Sequence, residues 1–279
     1  MNTEIKLGKL NLKNPVILAS GTFDRAITKH IDVAKLGAIT TKTITLQPKV
    51  GNPLPHIIKT EHGWLNSVGL KNPGVKKYLA EELPFWQSQN AEIICSIGGE
   101  KSSDYIALAK KLNDYIDAIE VNVSCPNVGN GMAFGTDPKI VKKLIIDIRK
   151  VYKKTLIAKL SPNVTDIIEI ATAALDGGAD ALTLINSVRG TAIHPKTGKF
   201  YFANKIAGYS GPAIKPIALR AVFEVYNQHK CCIIGGGGIA SPQDAKDFLR
   251  VGARAVFIGS ANYLDPKISI KIVEGLRKV

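Results

Sequence analysis

The stretch Cys231-Cys232-Ile233-Ile234-Gly235-Gly236-Gly237-Gly238-Ile239-Ala240-Ser241-Pro242 is a short apolar run that breaks into four glycines and then into a helix start. Ser241 sets a capping hydroxyl ahead of a proline at the first helical position. Apolar residues recur every three or four positions over 241–251, and Gly252 supplies the stop. The next run, Ala255-Val256-Phe257-Ile258, ends in Gly259-Ser260. Strand, helix and strand in this order make a right-handed crossover between parallel strands.

Working outward, the same grammar repeats along the chain. Strands are predicted at 15–19, 38–42, 93–96, 118–122, 156–160, 181–185, 231–235 and 255–259. Helical periodicity is clearest at 103–112, 138–152, 166–176, 214–228, 241–251 and 266–278. Asp137-Pro138 and Asp265-Pro266 repeat the capped proline start, and Gly177 is a second stop signal. Eight such strands predict an α/β fold, a single (β/α)8 TIM barrel spanning residues 1–279, with a doubly wound open sheet as the competing architecture. Two connections, 43–92 and 186–230, are too long for turns and are expected to cover the C-terminal mouth.

The totals restrict the function class. The chain has 279 residues, 45% hydrophobic and 22% charged, an ordinary globular balance. No apolar run approaches the ~20 residues that span a bilayer, and 1–12 mixes charged with apolar residues, unlike a secretory signal. The expectation is a cytoplasmic protein with no membrane association. Net charge is +14, yet lysine pairs such as Lys76-Lys77, Lys110-Lys111 and Lys142-Lys143 fall at the exposed positions of amphipathic helices. With no basic stripe interleaved with aromatics, a nucleic-acid partner is not expected. The four cysteines lack metal-ligand spacing, so no metal site is predicted, and an iron-sulfur cluster would have to arrive on a partner.

In a barrel the residues just past each strand build the functional face. Here they read Ser20-Gly21, Lys42-Thr43, Ser96, Asn122, Lys159, Asn186-Ser187, Gly235 to Gly238 and Gly259-Ser260. Two lysines and several amides suit a planar, anionic, hydrogen-bonding ligand. The glycines after strands seven and eight read as a phosphate cradle, because backbone N–H groups and a helix N-terminus converge there. Cys95, Cys231 and Cys232 fit small buried hydrophobes. Cys125 differs, standing in a polar loop after the fourth strand, where a thiol of pKa ~8.5 can accept a proton or act as nucleophile. His56, His62 and His194 are scattered through loops without an evident partner.

The motifs then stand in order along nearly the whole chain: Ala19-Ser20-Gly21-Thr22-Phe23, Lys42-Thr43, Gly51-Asn52-Pro53, Leu65-Asn66-Ser67-Val68-Gly69-Leu70, Asn122-Val123-Ser124-Cys125-Pro126-Asn127, Phe134-Gly135-Thr136-Asp137-Pro138, Lys159-Leu160-Ser161-Pro162-Asn163, Ser210-Gly211-Pro212-Ala213-Ile214-Lys215-Pro216 and 234–239. Together they resemble the class 1 dihydroorotate dehydrogenases, most closely the 1B, NAD-linked branch. The resemblance implies FMN at the barrel mouth, with its phosphate on Gly237, Gly238, Gly259 and Ser260 and with Gly211 nearby. It implies Ser20, Lys42, Thr43, Asn122, Lys159 and Ile185 as further flavin contacts. Lys42, Asn66, Ser67, Val68, Gly69, Leu70, Asn122, Asn127, Asn186 and Ser187 would surround dihydroorotate or orotate.

By the same resemblance Cys125 removes a proton from C5 while hydride passes from C6 to flavin N5, and Lys42 stabilises developing charge. A partner subunit carrying FAD and a [2Fe-2S] cluster would take the electrons to NAD+, on a dimer of barrels within a heterotetramer. Ser96 departs from the 1B pattern, which carries asparagine, and resembles the fumarate-using 1A branch. A dihydropyrimidine dehydrogenase-like activity on uracil or thymine shares the Ser-Cys-Pro loop. Both remain alternatives at this point.

Overall fold

The computed structural model describes residues 4–123 and 134–277. Eight parallel strands close on themselves in chain order: Val16–Leu18, Ala38–Ile44, Ile93–Ile97, Ala118–Asn122, Thr155–Lys159, Ala181–Leu184, Ile233–Gly235 and Ala255–Ile258. Every neighbouring pair is parallel, including Val256 opposite Val16, which seals the cylinder. The closed barrel excludes the open-sheet alternative, and all eight predicted strands are present within two residues at either end.

The helices Ser102–Leu112, Pro138–Val151, Ile167–Asp176, Lys215–His229, Pro242–Arg250 and Ile268–Arg277 lie outside the barrel. Their starts follow the sequence chemistry. Asp137 accepts from the N–H groups of Lys139 and Ile140, and Ser241 from that of Asp244. Asp265 caps Lys267, so the last helix opens two residues later than its proline suggests. At the third helix the left-handed residue is Gly178, φ +99°, one position beyond the expected stop at Gly177. The lysine pairs at 76–77, 110–111 and 142–143 are exposed, as a solvated face requires.

Strand side chains alternate between two cores. One set, with Ile119, Val121, Leu156, Ala158, Leu182 and Leu184, packs against the helices. The other set faces the barrel axis: Ile17, Ala38, Ile94, Ala118, Ile157, Ala181, Ile234, Ala255 and Phe257 form a cluster with Leu7, Leu10 and Leu12. Those three leucines belong to an N-terminal hairpin, Ile5–Leu7 and Leu10–Leu12, that closes the bottom of the barrel. Burying each contributes roughly 1.5–3 kcal/mol, enough to hold so short a hairpin in place.

The two long excursions meet. Ile57–Thr60 and Gly63–Asn66 pair with Ala207–Ser210 and Val188–Gly190 in a four-stranded antiparallel sheet, a roof built from segments that follow barrel strands two and six. Gly63 permits the closest approach, since a Cβ there would lie 2.2 Å from the Ser210 carbonyl oxygen. Leu65, Phe202 and Ala207 form the roof's own core. Residues 74–88, which carry no expected element, form a helical stretch with one wider π-type turn over Tyr78–Glu82. Pro84 has no N–H to give, and the ladder is irregular just before it.

Cys95 is fully buried between barrel strand and helix, beside Tyr78 and Thr41. Burial pushes its thiol up to about 12 from an ordinary 9, and that of Cys231 to about 11. An acid whose pKa is raised on folding contributes stability that is complete below the unfolded value and is lost as pH climbs between the two. Cys95 therefore weakens the fold between pH 9 and about 12. Under native conditions at pH 8 an alkylating reagent is expected to leave Cys95 unmodified and to label it after denaturation, as peptide mass spectrometry would read; labelling before unfolding contradicts this packing.

Candidate active site

Register carries the inward-facing series upward from the apolar base. Ala118 is followed on its face by Glu120 and Asn122, Ile157 by Lys159, Ala181 by Thr183, and Ile94 by Ser96. The interior thus changes from apolar to polar within two residues. Thr183 Oγ1 donates to Glu120 Oε2 at 2.9 Å, although their strands are separated by a third, so the contact crosses the barrel interior. Lys159 Nζ stands 3.9 Å from Glu120 Oε1 and 5.3 Å from the Phe257 ring centroid.

Above this layer, Lys42 leans over the first strand's loop, where a Cβ on Gly21 would lie 3.0 Å from its Nζ. Burial, with the Lys159 charge as a second cause, holds the Lys42 pKa below the usual lysine value. Beside it runs a chain of hydroxyls. Thr43 Oγ1 is 3.2 Å from Ser20 Oγ and 2.9 Å from Ser96 Oγ, and the Thr43 N–H donates to Ser20 Oγ at 3.0 Å. Ser96 is fully buried and satisfied there, which accounts physically for a serine at this strand end.

Amides occupy the opposite wall. Asn186 Nδ2 donates to Asn122 Oδ1 at 3.2 Å, and the Asn122 carbonyl accepts from Tyr105 OH at 3.0 Å. Asn163 Nδ2 holds Ser161 Oγ and the Ser187 carbonyl, while the Asn163 Oδ1 accepts from the Arg189 N–H. Asn66 Nδ2 donates to the Gly208 carbonyl within the roof, and Ser187 lies under Gly208.

The loop Ser67-Val68-Gly69-Leu70 is held from two sides. Asn52 donates to the Ser67 carbonyl and Oγ, and its own N–H reaches the Val68 carbonyl. Asn72 donates to the Leu70 carbonyl and to Thr45 Oγ1, and accepts from the Thr45 and Gly74 N–H groups. Gly69 and Leu70 are both left-handed, φ +68° and +55°. Leu70 and Thr43 both flank Gly98, which places this loop beside the hydroxyl chain.

The glycine run has distinct roles by position. Gly235 is packed by Phe248, Ala253 and Val222, so it serves strand and helix packing. Gly237 and Gly238 have φ of +131° and +82°, and a Cβ on Gly238 would lie 2.8 Å from the Gly211 carbonyl oxygen. Ile185 sits beside Gly237. A Cβ on Gly259 would meet only ordinary contacts, with Thr22 at 3.8 Å and Ala19 at 3.9 Å, and the buried Ser260 opens the turn that follows. Left-handed Gly237 and Gly238, the Gly259–Ser260 turn and the start of the helix Pro242–Arg250 thus border the mouth together, a cradle whose backbone can approach an anionic group closely. Hydroxyls, two ammonium groups and amides on the remaining walls fit the rest of a flavin mononucleotide.

Cys125 and Asn127 lie outside the described residues; the fourth strand that leads to them ends at Asn122. Of the other expected residues, Ser20, Lys42, Thr43, Asn122, Lys159, Ile185, Asn186 and Ser187 stand at or just past the ends of barrel strands. Asn66 ends a roof strand with Ser67 to Leu70 after it, Gly211 follows the roof strand Ala207–Ser210, and Gly237, Gly238, Gly259 and Ser260 follow the last two barrel strands. Four contributors carry no role in the sequence reading, though Asn52 and Asn163 stand inside motifs quoted there. Glu120 and Thr183 share the face of Asn122 and Lys159, and a carboxylate in mid-strand was a usable signal. Asn52 and Asn163 act through side-chain bonds to distant backbone, which no periodicity reports. His56 does have a partner, since its Nε2 lies 2.7 Å from the Asn52 carbonyl oxygen. Among the described residues, no three His, Cys, Asp or Glu side chains gather as metal ligands, and no helix is long and apolar enough to cross a membrane.

Comparison with known proteins agrees along the full length. The sequence profile described as "Dihydroorotate dehydrogenase" matches residues 2–279. A protein of Thermoanaerobacter pseudethanolicus named "Dihydroorotate dehydrogenase B (NAD(+)), catalytic subunit" is 48% identical over 282 residues, covering 100% of this chain and 93% of its own. Proteins of the same name from Alkaliphilus metalliredigens and Geotalea uraniireducens are 45% and 43% identical, covering 99% and 98% of this chain and 93% and 91% of theirs. A TIM barrel whose mouth gathers these lysines, amides and glycines, matched end to end by such relatives, belongs to the dihydroorotate dehydrogenase family.

Proposed function

We propose that this chain, as one barrel domain over residues 1–279, oxidises dihydroorotate to orotate in cytoplasmic pyrimidine biosynthesis and works with a separate electron-transfer subunit. The observation that carries the reading is the meeting, at one mouth, of Lys42 and Lys159 with the Asn122–Asn186 amide pair beside the glycine cradle. A flat ring with a carboxylate on one edge and imide groups on the other matches that donor set.

Gly237, Gly238, Gly259 and Ser260, with Gly211 behind them, would hold the phosphate of FMN. Ser20, Lys42, Thr43, Asn122, Lys159 and Ile185 would hold the rest. FMN, when bound, supplies the acceptor for the hydride released from C6 of the substrate. Cys125 Sγ takes the C5 proton, so the two hydrogens leave as proton and hydride and the C5–C6 double bond of orotate forms. Asn66, Ser67, Val68, Gly69, Leu70, Asn127, Asn186 and Ser187 orient the ring and exclude water. A site whose polar groups expect a carboxylate leaves them unpaired against dihydrouracil, which lacks one.

The name "catalytic subunit" carried by the relatives fits a partner with FAD and a [2Fe-2S] cluster that hands electrons to NAD+, two copies of each chain assembling together. Ser96 gives a specific reason to test fumarate as acceptor as well. In an anaerobic cuvette, dihydroorotate is expected to bleach the flavin absorbance at least about 100-fold faster than dihydrouracil, in the range set by unpaired buried groups. Bleaching by dihydrouracil alone would sink the assignment. Reoxidation by fumarate in the isolated chain, with no NAD+ reduction by the copurified complex, would favour the 1A reading.

A further inference from the structure

Glu120 is 3% exposed inside the barrel, directly beneath the polar mouth. One carboxylate oxygen accepts the single hydrogen bond from Thr183, and the other, Oε1, has no hydrogen-bond partner. Its nearest cation is Lys159 at 3.9 Å, too far for a hydrogen bond. As a stabilising device this is poor, because a buried acid must recover its lost hydration through short, well-formed bonds and an apolar side chain would pack without that cost. The arrangement makes sense as a charge placed for its field. Two lysine side chains, Lys42 and Lys159, face the mouth, and the Glu120 carboxyl group is set below them.

We propose that Glu120 is a positioning residue for charge: it offsets the Lys159 ammonium and so lowers the reduction potential of the flavin bound above. The inference rests on the FMN reading of the mouth. Charge beside a flavin tunes its electronics, and in a water-poor interior each charge acts strongly. A flavin gains negative charge when it takes two electrons, so a carboxylate beneath it disfavours reduction. The intermediate distance to Lys159 attenuates that cation's pull without neutralising it.

The test is the midpoint potential of the flavin in the purified holoprotein, read by equilibration with a reference dye. Glu120→Gln keeps an oxygen for Thr183 to donate to and removes the charge. The expected result is a rise of about 30 mV, a tenfold change in the two-electron equilibrium. An unchanged or lowered potential overturns the proposal. Should the Gln variant fail to fold, Glu120→Met carries the same expectation. A parent protein that retains no flavin refutes both this inference and the reading beneath it, whereas a flavin-loaded parent with an indifferent Glu120 refutes only the charge assignment.

Discussion

Replacing Cys125 by alanine is expected to slow anaerobic flavin reduction by dihydroorotate by about 10²–10⁴-fold, the range over which a positioned general base contributes. Orotate binding should stay within about threefold, because the thiol is assigned to proton removal and the amides and lysines to binding. The parent rate should also climb with pH until the thiol is ionised, with a free thiol starting from ~8.5. Cys125→Ser, whose hydroxyl is a far weaker acid, should shift that climb to higher pH. Stopped-flow traces at 450 nm across pH 6–10 would check both. A Cys125→Ala protein as fast as the parent would remove the base from the mechanism, and the other three thiols offer no replacement, since burial raises the pKa of Cys95, Cys231 and Cys232 alike.

The second large effect concerns the cradle. Gly238→Ala forces a side chain into a backbone at φ +82° and sets a Cβ 2.8 Å from the Gly211 carbonyl oxygen and 3.1 Å from the Lys215 nitrogen. Strain of about 1–3 kcal/mol is expected, and relief requires the loop to shift away from the phosphate position. FMN affinity should fall roughly 10–100-fold, read by fluorescence titration of the apoprotein, while riboflavin, which has no phosphate, should lose much less. Gly198→Ala is a matched control. Its φ of +67° is equally left-handed, but nothing lies within 4 Å of a Cβ there and the turn is exposed. FMN binding unchanged in Gly238→Ala would show that the cradle is not where phosphate sits.

The barrel was legible because each strand is a short apolar run with a polar or glycine end, and each flanking helix carries its own cap. The same reading located Lys42, Lys159, Asn122 and the two glycine turns, since a barrel displays whatever follows its strands. It failed where structure depends on partners remote in sequence. Gly63–Asn66 and Ala207–Ser210 pair across more than a hundred residues, and nothing in either segment names the other. The N-terminal hairpin did carry a signal, two alternating triplets around Gly8-Lys9, with Gly8 at φ +57°, but its strands are three residues long. Glu120 was hidden for a different reason: the eye reads mid-strand positions as core, and only the register shows that it shares a face with the site residues.

That remote pairing makes the roof dependent on the barrel beneath it. Contacts between residues 63–66 and 207–210 need both segments at the same rim, and it is the cylinder that brings them there. The roof also has a small core, Leu65, Phe202 and Ala207, separate from the two clusters of the barrel. Such a unit opens at a lower free energy than the molecule as a whole. On the proposed FMN reading, opening of this cover would set how long the cofactor is retained, and flavin would be lost while the barrel remains folded.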